Sequence, residues 1–191
     1  MKNRFKVDTK KWLVISGLLL LMSITSVGFV QAVDLTDTEK SWLTYMREEE
    51  KLARDVYMFM YDKWGSQIFS NISVSEQTHM DAIKTLLDRY GIPDPVKDDT
   101  PGAFSDVFAG LYETLTDAGG VSLVEALKVG VFIEMTDIDD LNKGMITTDR
   151  RDIDKVYSNL LQGSLNHWDA FCSELAKLEE ACVPYELPTE P

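Results

Sequence analysis

Basic residues, cysteine and histidine are all scarce in this chain, and each shortage excludes something. Against 32 acidic residues there are 19 lysines and arginines, a formal net charge of −13. A surface of that sign repels phosphate backbones and anionic lipid headgroups, which argues against nucleic acid and peripheral membrane binding and leaves cations as natural ligands. The two cysteines, Cys172 and Cys182, are too few for a disulfide framework or a thiolate metal knuckle, and no Cys-x-x-Cys pair occurs. On one continuous helix they would stand about 15 Å apart, beyond the roughly 7 Å that a disulfide spans. Unpaired or intermolecular thiols near a helix end are therefore expected, since an internal bridge requires the chain to turn back near Glu180. The two histidines, His79 and His167, must carry any imidazole chemistry.

With 191 residues, 45% of them hydrophobic and 27% charged, the chain suits one compact domain with a real core. Lys2, Arg4, Lys6, Lys10 and Lys11 precede an apolar run over residues 12–30 that ends in Val30-Gln31-Ala32. That is the layout of a secretory signal. Cleavage is expected after Ala32, with an uncleaved membrane anchor as the alternative, and either puts the domain outside a cytoplasmic membrane. Without residues 1–32, which hold five basic residues and one acid, 14 basic and 31 acidic residues remain, a net charge of about −17. The folded domain is expected over residues 33–182. Residues 183–191, with Pro184, Pro188 and Pro191, read as an unstructured tail.

Apolar residues at helical spacing predict four long helices. The first, residues 38–64, begins after a cap at Thr36 or Asp37 and stops at Gly65; its inward stripe is Met46, Glu50, Ala53, Tyr57, Met60, Trp64. Glu48 falls towards water in this register and Glu49 on the flank. The second, residues 67–91, has the stripe Ile68, Ile72, Glu76, His79, Ile83, Leu86, Tyr90. Three prolines over residues 92–102 break the helical pattern, and a short helix follows over residues 103–117. Ser122 caps the third long helix, whose stripe to Gly144 reads Leu123, Leu127, Gly130, Glu134, Asp137, Leu141. Thr147 or Thr148 caps the fourth, which extends to about Glu180 with the stripe Ile153, Tyr157, Leu160, Ser164, His167, Phe171.

Every stripe is polar at its centre. A carboxylate or imidazole buried where Ile or Leu belongs costs several kcal/mol unless a charged or hydrogen-bonding partner meets it. A metal ion meets both kinds of group. Glu-x-x-His on one helix of a bundle, with single Glu residues on others, is how carboxylate-bridged di-iron and di-manganese sites are built. Glu76 and His79 form that motif; Glu50 and Glu134 are the single carboxylates; His167 is the second imidazole. Glu50 precedes His79 by 29 positions and Glu134 precedes His167 by 33, so the two halves form a pseudo-repeat of helix pairs.

The motifs Arg47-Glu-Glu-Glu-Lys-Leu-Ala-Arg-Asp-Val-Tyr57, Glu76-x-x-His79, Ile133-Glu-Met-Thr-Asp-Ile-Asp-Asp-Leu141 and Gly163-Ser-Leu-Asn-His-Trp-Asp-Ala-Phe171 resemble ferritin-like proteins. The resemblance is closest to the uncharacterised family called domain of unknown function 2202, over residues 35–178. It implies an all-α, ferritin-like four-helix bundle with one long crossover containing the short extra helix. Glu50, Arg54 and Tyr57 are spaced like the first helix of rubrerythrins, where the Glu is an iron ligand. Two departures stand out. Ser164 occupies the place of the Glu in a second Glu-x-x-His, and a hydroxyl is a poor ligand for a divalent metal. Either Asp137 supplies the missing carboxylate or one metal position is weakened or empty. Val131 stands where rubrerythrins have a further Glu, and no four-cysteine rubredoxin module follows, so electrons must come from an external donor.

The resemblance implies two iron ions, or manganese, held by Glu50, Glu76, His79, Glu134, His167 and Asp137, with Arg54, Tyr57, Tyr157 and Ser164 around them. Ferroxidase or peroxide-reducing chemistry with dioxygen or peroxide would follow. Two other readings stay open: a module that binds one or two metals without turnover, and a metal-free bundle whose polar core satisfies itself and whose surface serves a partner.

Overall fold

The structure, a computed structural model, describes residues 34–104, 106–185 and 187. The signal segment expected over residues 1–32 lies outside the described residues. Those described form five helices and no strand: α1 (Asp37–Trp64), α2 (Gln67–Tyr90), α3 (Asp106–Gly119), α4 (Leu123–Met145) and α5 (Arg151–Lys177). None of these is long and apolar enough to cross a membrane.

Local chemistry sets most helix ends. Thr36 opens α1 with a capping box: its hydroxyl accepts from the Glu39 amide at 3.2 Å while its own amide donates to Glu39 Oε2 at 2.8 Å. Gly65 closes α1 at φ 64°, a left-handed conformation open to glycine because it lacks Cβ. Ser122 caps α4 by accepting from the Glu125 amide.

Short links make α1 with α2, and α4 with α5, antiparallel neighbours. Tyr45 meets Asp140 and Tyr57 meets Glu134, so α1 and α4 also run antiparallel; Ser75 with His167 and Tyr90 with Asp152 show the same for α2 and α5. The cyclic order is therefore α1, α2, α5, α4. It leaves α2 and α4 parallel on a diagonal, so their connection must climb the bundle, about 36 Å for a helix the length of α2. α3 lies within that climb and packs on α1 and α4.

The apolar core is divided. Leu52, Val56, Met60, Phe69, Phe171 and Leu175 belong to one cluster, and Leu43, Met46, Ile83, Leu86, Leu141 and Ile153 to another. Between them α1, α2, α4 and α5 bury Glu50, Glu76, His79, Glu134, Asp137, Ser164 and His167.

Several expectations need correction. Glu48 and Glu49 are buried, not turned to water or to a flank. The crossover covers the outer face of α1: Arg47 forks onto Asp94, Arg54 reaches Asp99, and fully buried Lys51 holds Asp55, the Thr100 carbonyl and the face of Phe104. The start of α5 is Arg151, because Thr148 uses its hydroxyl to donate to Glu39 of α1 and to accept from the Arg150 amide. The end of α5 is Lys177, because Glu179 turns left-handed at φ 62° and reverses the chain. That reversal brings Cys172 and Cys182 to a Cα separation of 5.1 Å as a disulfide, so they are not free thiols. In the tail, Tyr185 donates to Glu125 at 2.7 Å, and Leu187 packs against the core.

A bridge closing so short a loop constrains the unfolded chain by about 2–3 kcal/mol. Urea unfolding of Cys182→Ser should show a loss of that size against the oxidised parent, and reduction of the parent should reproduce it. Equal midpoints would contradict the bridge.

Candidate metal centre

The buried layer has a centre, and it is Glu76. Its Oε2 lies 2.8 Å from His79 Nδ1, and its Oε1 lies 2.8 Å from His167 Nδ1. Each imidazole meets one further carboxylate: His79 Nδ1 is 3.2 Å from Glu50 Oε2, and His167 Nδ1 is 3.4 Å from Glu134 Oε2. Two trios result, Glu50 with Glu76 and His79, and Glu76 with Glu134 and His167, each able to turn ligand atoms within 4.8 Å of one another. Glu76 is common to both. Glu50, Glu76 and Glu134 are each 2% exposed.

Contact is not the same as satisfaction. Glu76 Oε1 and His167 Nδ1 are close but off the hydrogen-bonding direction, and neither has a hydrogen-bond partner; nor does Glu50 Oε1 or Asp137 Oδ1. Leaving buried polar atoms unmet costs about 1–3 kcal/mol each, more when charged. Atoms that crowd together without pointing hydrogens at one another are arranged like ligands sharing a cation. His167 is oriented for this from behind: its Nε2 lies 2.9 Å from the Ser75 hydroxyl, so an Nε2–H directed there leaves the Nδ1 lone pair for the centre. His79 fits because residue 163 is glycine; a Cβ there would come within 2.5 Å of His79 Nε2.

The remaining expected residues divide. Asp137 stands outside both trios; the Ser164 hydroxyl donates to its Oδ2 and lies 3.0 Å from the Leu160 carbonyl. Tyr57 donates to Glu134 Oε1 at 2.6 Å. Arg54 turns away, to Gln77, Asp55 and Asp99, and pins the crossover. The Tyr157 hydroxyl has no hydrogen-bond partner, and its ring packs in the apolar cluster with Leu43 and Met46. Ser75 and Gly163 were not anticipated. Ser75 is one position before Glu76, but its pairing with α5 depends on how two helices cross.

By themselves these groups compete for protons. Burial lifts Glu50 well above the usual carboxylate range, the charge of Asp137 adding to it and His79 opposing. Burial and the charge of Glu76 push Glu134 up to about 7, against His167 and Tyr57. Burial pushes Asp137 up to about 8, with Ser164 opposing and the charges of Glu134 and Glu76 adding. Glu76 goes the other way: burial raises it, but His167 and His79 hold it down to about 2. Burial lowers both imidazoles, but Glu50 and Glu76 lift His79 to about 11, and Glu134 and Glu76 lift His167 to about 9. Protons thus take up positions a divalent cation would contest, and a cation must expel them.

A family profile described as an uncharacterised protein domain, DUF2202, matches residues 39–187. The chain is 56% identical over 157 residues to uncharacterised protein MJ0754 of Methanocaldococcus jannaschii, covering 82% of this chain and 85% of that protein. The solved crystal structure of hypothetical protein MJ0754 from Methanococcus jannaschii DSM 2661 superposes with a TM-score of 0.78 at 52% identity, over 81% of this chain and 89% of that one.

Glu134, Asp137, His79 and His167 all hold their protons more tightly folded than unfolded. The stability they contribute is present at low pH and is lost as pH rises through their folded values; Glu76 has the opposite sign, but at far lower pH. Chelator-treated protein should therefore lose melting temperature between about pH 6 and about pH 9, and Mn(II) or Zn(II) should reverse the loss. A flat or rising profile in chelator would contradict this electrostatic account.

Proposed function

Because the chain belongs to the DUF2202 family, whose description assigns no activity, we propose its function from its own site: it is a ferritin-like protein that holds a pair of divalent metal ions, iron or manganese, in the buried layer. Glu76 serves both ions. His79 and Glu50 complete one position, and His167 and Glu134 the other. Asp137, oriented by Ser164, supplies the carboxylate that the α5 motif lacks. The observation that carries this reading is the set of buried, unpartnered ligand atoms, Glu50 Oε1, Glu76 Oε1, Asp137 Oδ1 and His167 Nδ1, converging from all four long helices.

The donor set of carboxylates with two imidazoles suits iron and manganese. When bound, such ions supply Lewis acidity, redox capacity and open positions for dioxygen or peroxide. The chain's own residues do the rest. Tyr57 fixes Glu134, Ser75 fixes His167, and the two apolar clusters keep water from the layer. Oxidation of Fe(II) or reduction of peroxide is the chemistry such a centre would perform, with electrons from an external donor.

One observation favours a second reading, metal holding without turnover. Both cysteines are used in the Cys172–Cys182 bridge, so no thiolate is left to carry electrons. The same bridge supports an extracytoplasmic location, since disulfides persist in oxidising compartments, and it agrees with the basic and apolar composition of residues 1–32.

Elemental analysis of the full chain after loading with Fe(II) or Mn(II) should give about two ions per chain. Glu76→Ala should abolish both positions. Gly163→Ala, which drives a methyl into His79, should leave about one, and Ser75→Ala should weaken the position of His167 by about tenfold or more in affinity. A chain that takes up no metal at all would leave the self-satisfied polar bundle as the reading.

A further inference from the structure

We propose that divalent cations reach the centre along the seam between α1 and α4, passing from Asp140 to Glu49 and on to Asp137. The inference rests on the metal-centre reading above.

At the surface end of this seam is a pocket of about 570 Å3 lined by Asp37, Thr38, Ser41, Trp42, Tyr45 and Asp140. Asp140 lines this pocket, its carboxylate accepting from the Tyr45 hydroxyl at 3.0 Å and from Lys143 at 2.8 Å. One helical turn inward on α4 is Asp137. Across from it on α1 is Glu49, adjacent in sequence to Glu50. Glu49 and Asp137 are each only 5% exposed, and each has an oxygen, Oε2 and Oδ1, with no hydrogen-bond partner.

Besides burial itself, the charged groups that bear most on Glu49 are Asp137, Asp140 and Lys143. Only Lys143 is positive, and half of its side chain is in solvent, where it also pairs with Asp139. Carboxylates that face chiefly one another in a buried seam are costly to ionise, so their charge must be offset by protons or by a cation. The opposite seam, between α2 and α5, presents His79, His167 and Ser75 near the centre, and at its far end Asp152 is taken up by Arg89 and Tyr90. Charge therefore favours entry between α1 and α4.

Stopped-flow absorbance during Co(II) loading of the full chain tests the route. Glu49→Gln and Asp140→Asn should each load about tenfold more slowly than the parent, yet finish with the same Co(II) content by elemental analysis. Lys143→Gln, an exposed change that leaves the fold untouched, should load faster. Asp88→Asn, which removes an exposed acid on α2, should load at the parental rate. Parental rates in Glu49→Gln, Asp140→Asn and Lys143→Gln together would overturn the route while leaving the metal centre standing. Reduced final content in Glu49→Gln at an unchanged rate would also overturn it, by making Glu49 part of the site itself. A parent that takes up no Co(II) would remove the metal-centre reading and this route with it.

Discussion

The bundle depends on how a layer of ionisable side chains is neutralised in the middle of an apolar core. Glu50, Glu76, Glu134, Asp137, His79 and His167 interrupt what would otherwise be a continuous hydrophobic interior, and leave one apolar cluster on each side. Protons neutralise the layer partly. They leave several oxygens and a ring nitrogen unmet, because a proton serves one pair of atoms at a time. A divalent cation can meet several ligands at once, so the proposed metal pair would satisfy atoms that protons leave unmet.

That layer constrains the four long helices together. Glu76 reaches His167 because α2 packs against α5, Glu50 reaches His79 because α1 packs against α2, and Glu134 reaches His167 because α4 packs against α5. The supporting contacts follow the same crossings. Ser75 backs His167 from α2, Tyr57 backs Glu134 from α1, and Gly163 gives His79 room from α5. His167, Glu134 and His79 are thus each steadied or given room by a residue from a neighbouring helix, which keeps these side chains in place without relying on loops.

The crossover contributes from outside. By forking onto Asp94, Asp99 and the Thr100 carbonyl, Arg47, Arg54 and Lys51 draw residues 92–104 over the outer face of α1. This turns an amphipathic helix into one buried on nearly every side around Glu50, and it encloses Glu48 and Glu49 as well. The spacing of Arg54 relative to Glu50 and Tyr57 looks like that of a rubrerythrin helix, yet here the guanidinium turns to Asp55, Gln77 and Asp99 instead of the buried layer.

Periodicity alone determined the number of long helices and placed Glu50, Glu76 with His79, Glu134 and His167 each on the inward face of its own helix, because residues three and four apart share a helix face whatever the helix packs against; of the two caps expected for α1 it is Thr36 that serves, and Ser122 caps α4 as expected. What the far face of α1 touches is a different kind of fact. It depended on a long connection whose prolines say only that it is not helical, so the burial of Glu48 and Glu49 was not legible. Nor was the pairing of Thr148 with Glu39, which moved the start of α5, or the reversal at Glu179 that joins Cys172 to Cys182. Ser75 and Gly163 belong with these: their roles exist only where two helices cross. Local spacing decides which residues one helix presents together, and tertiary packing alone decides what they meet.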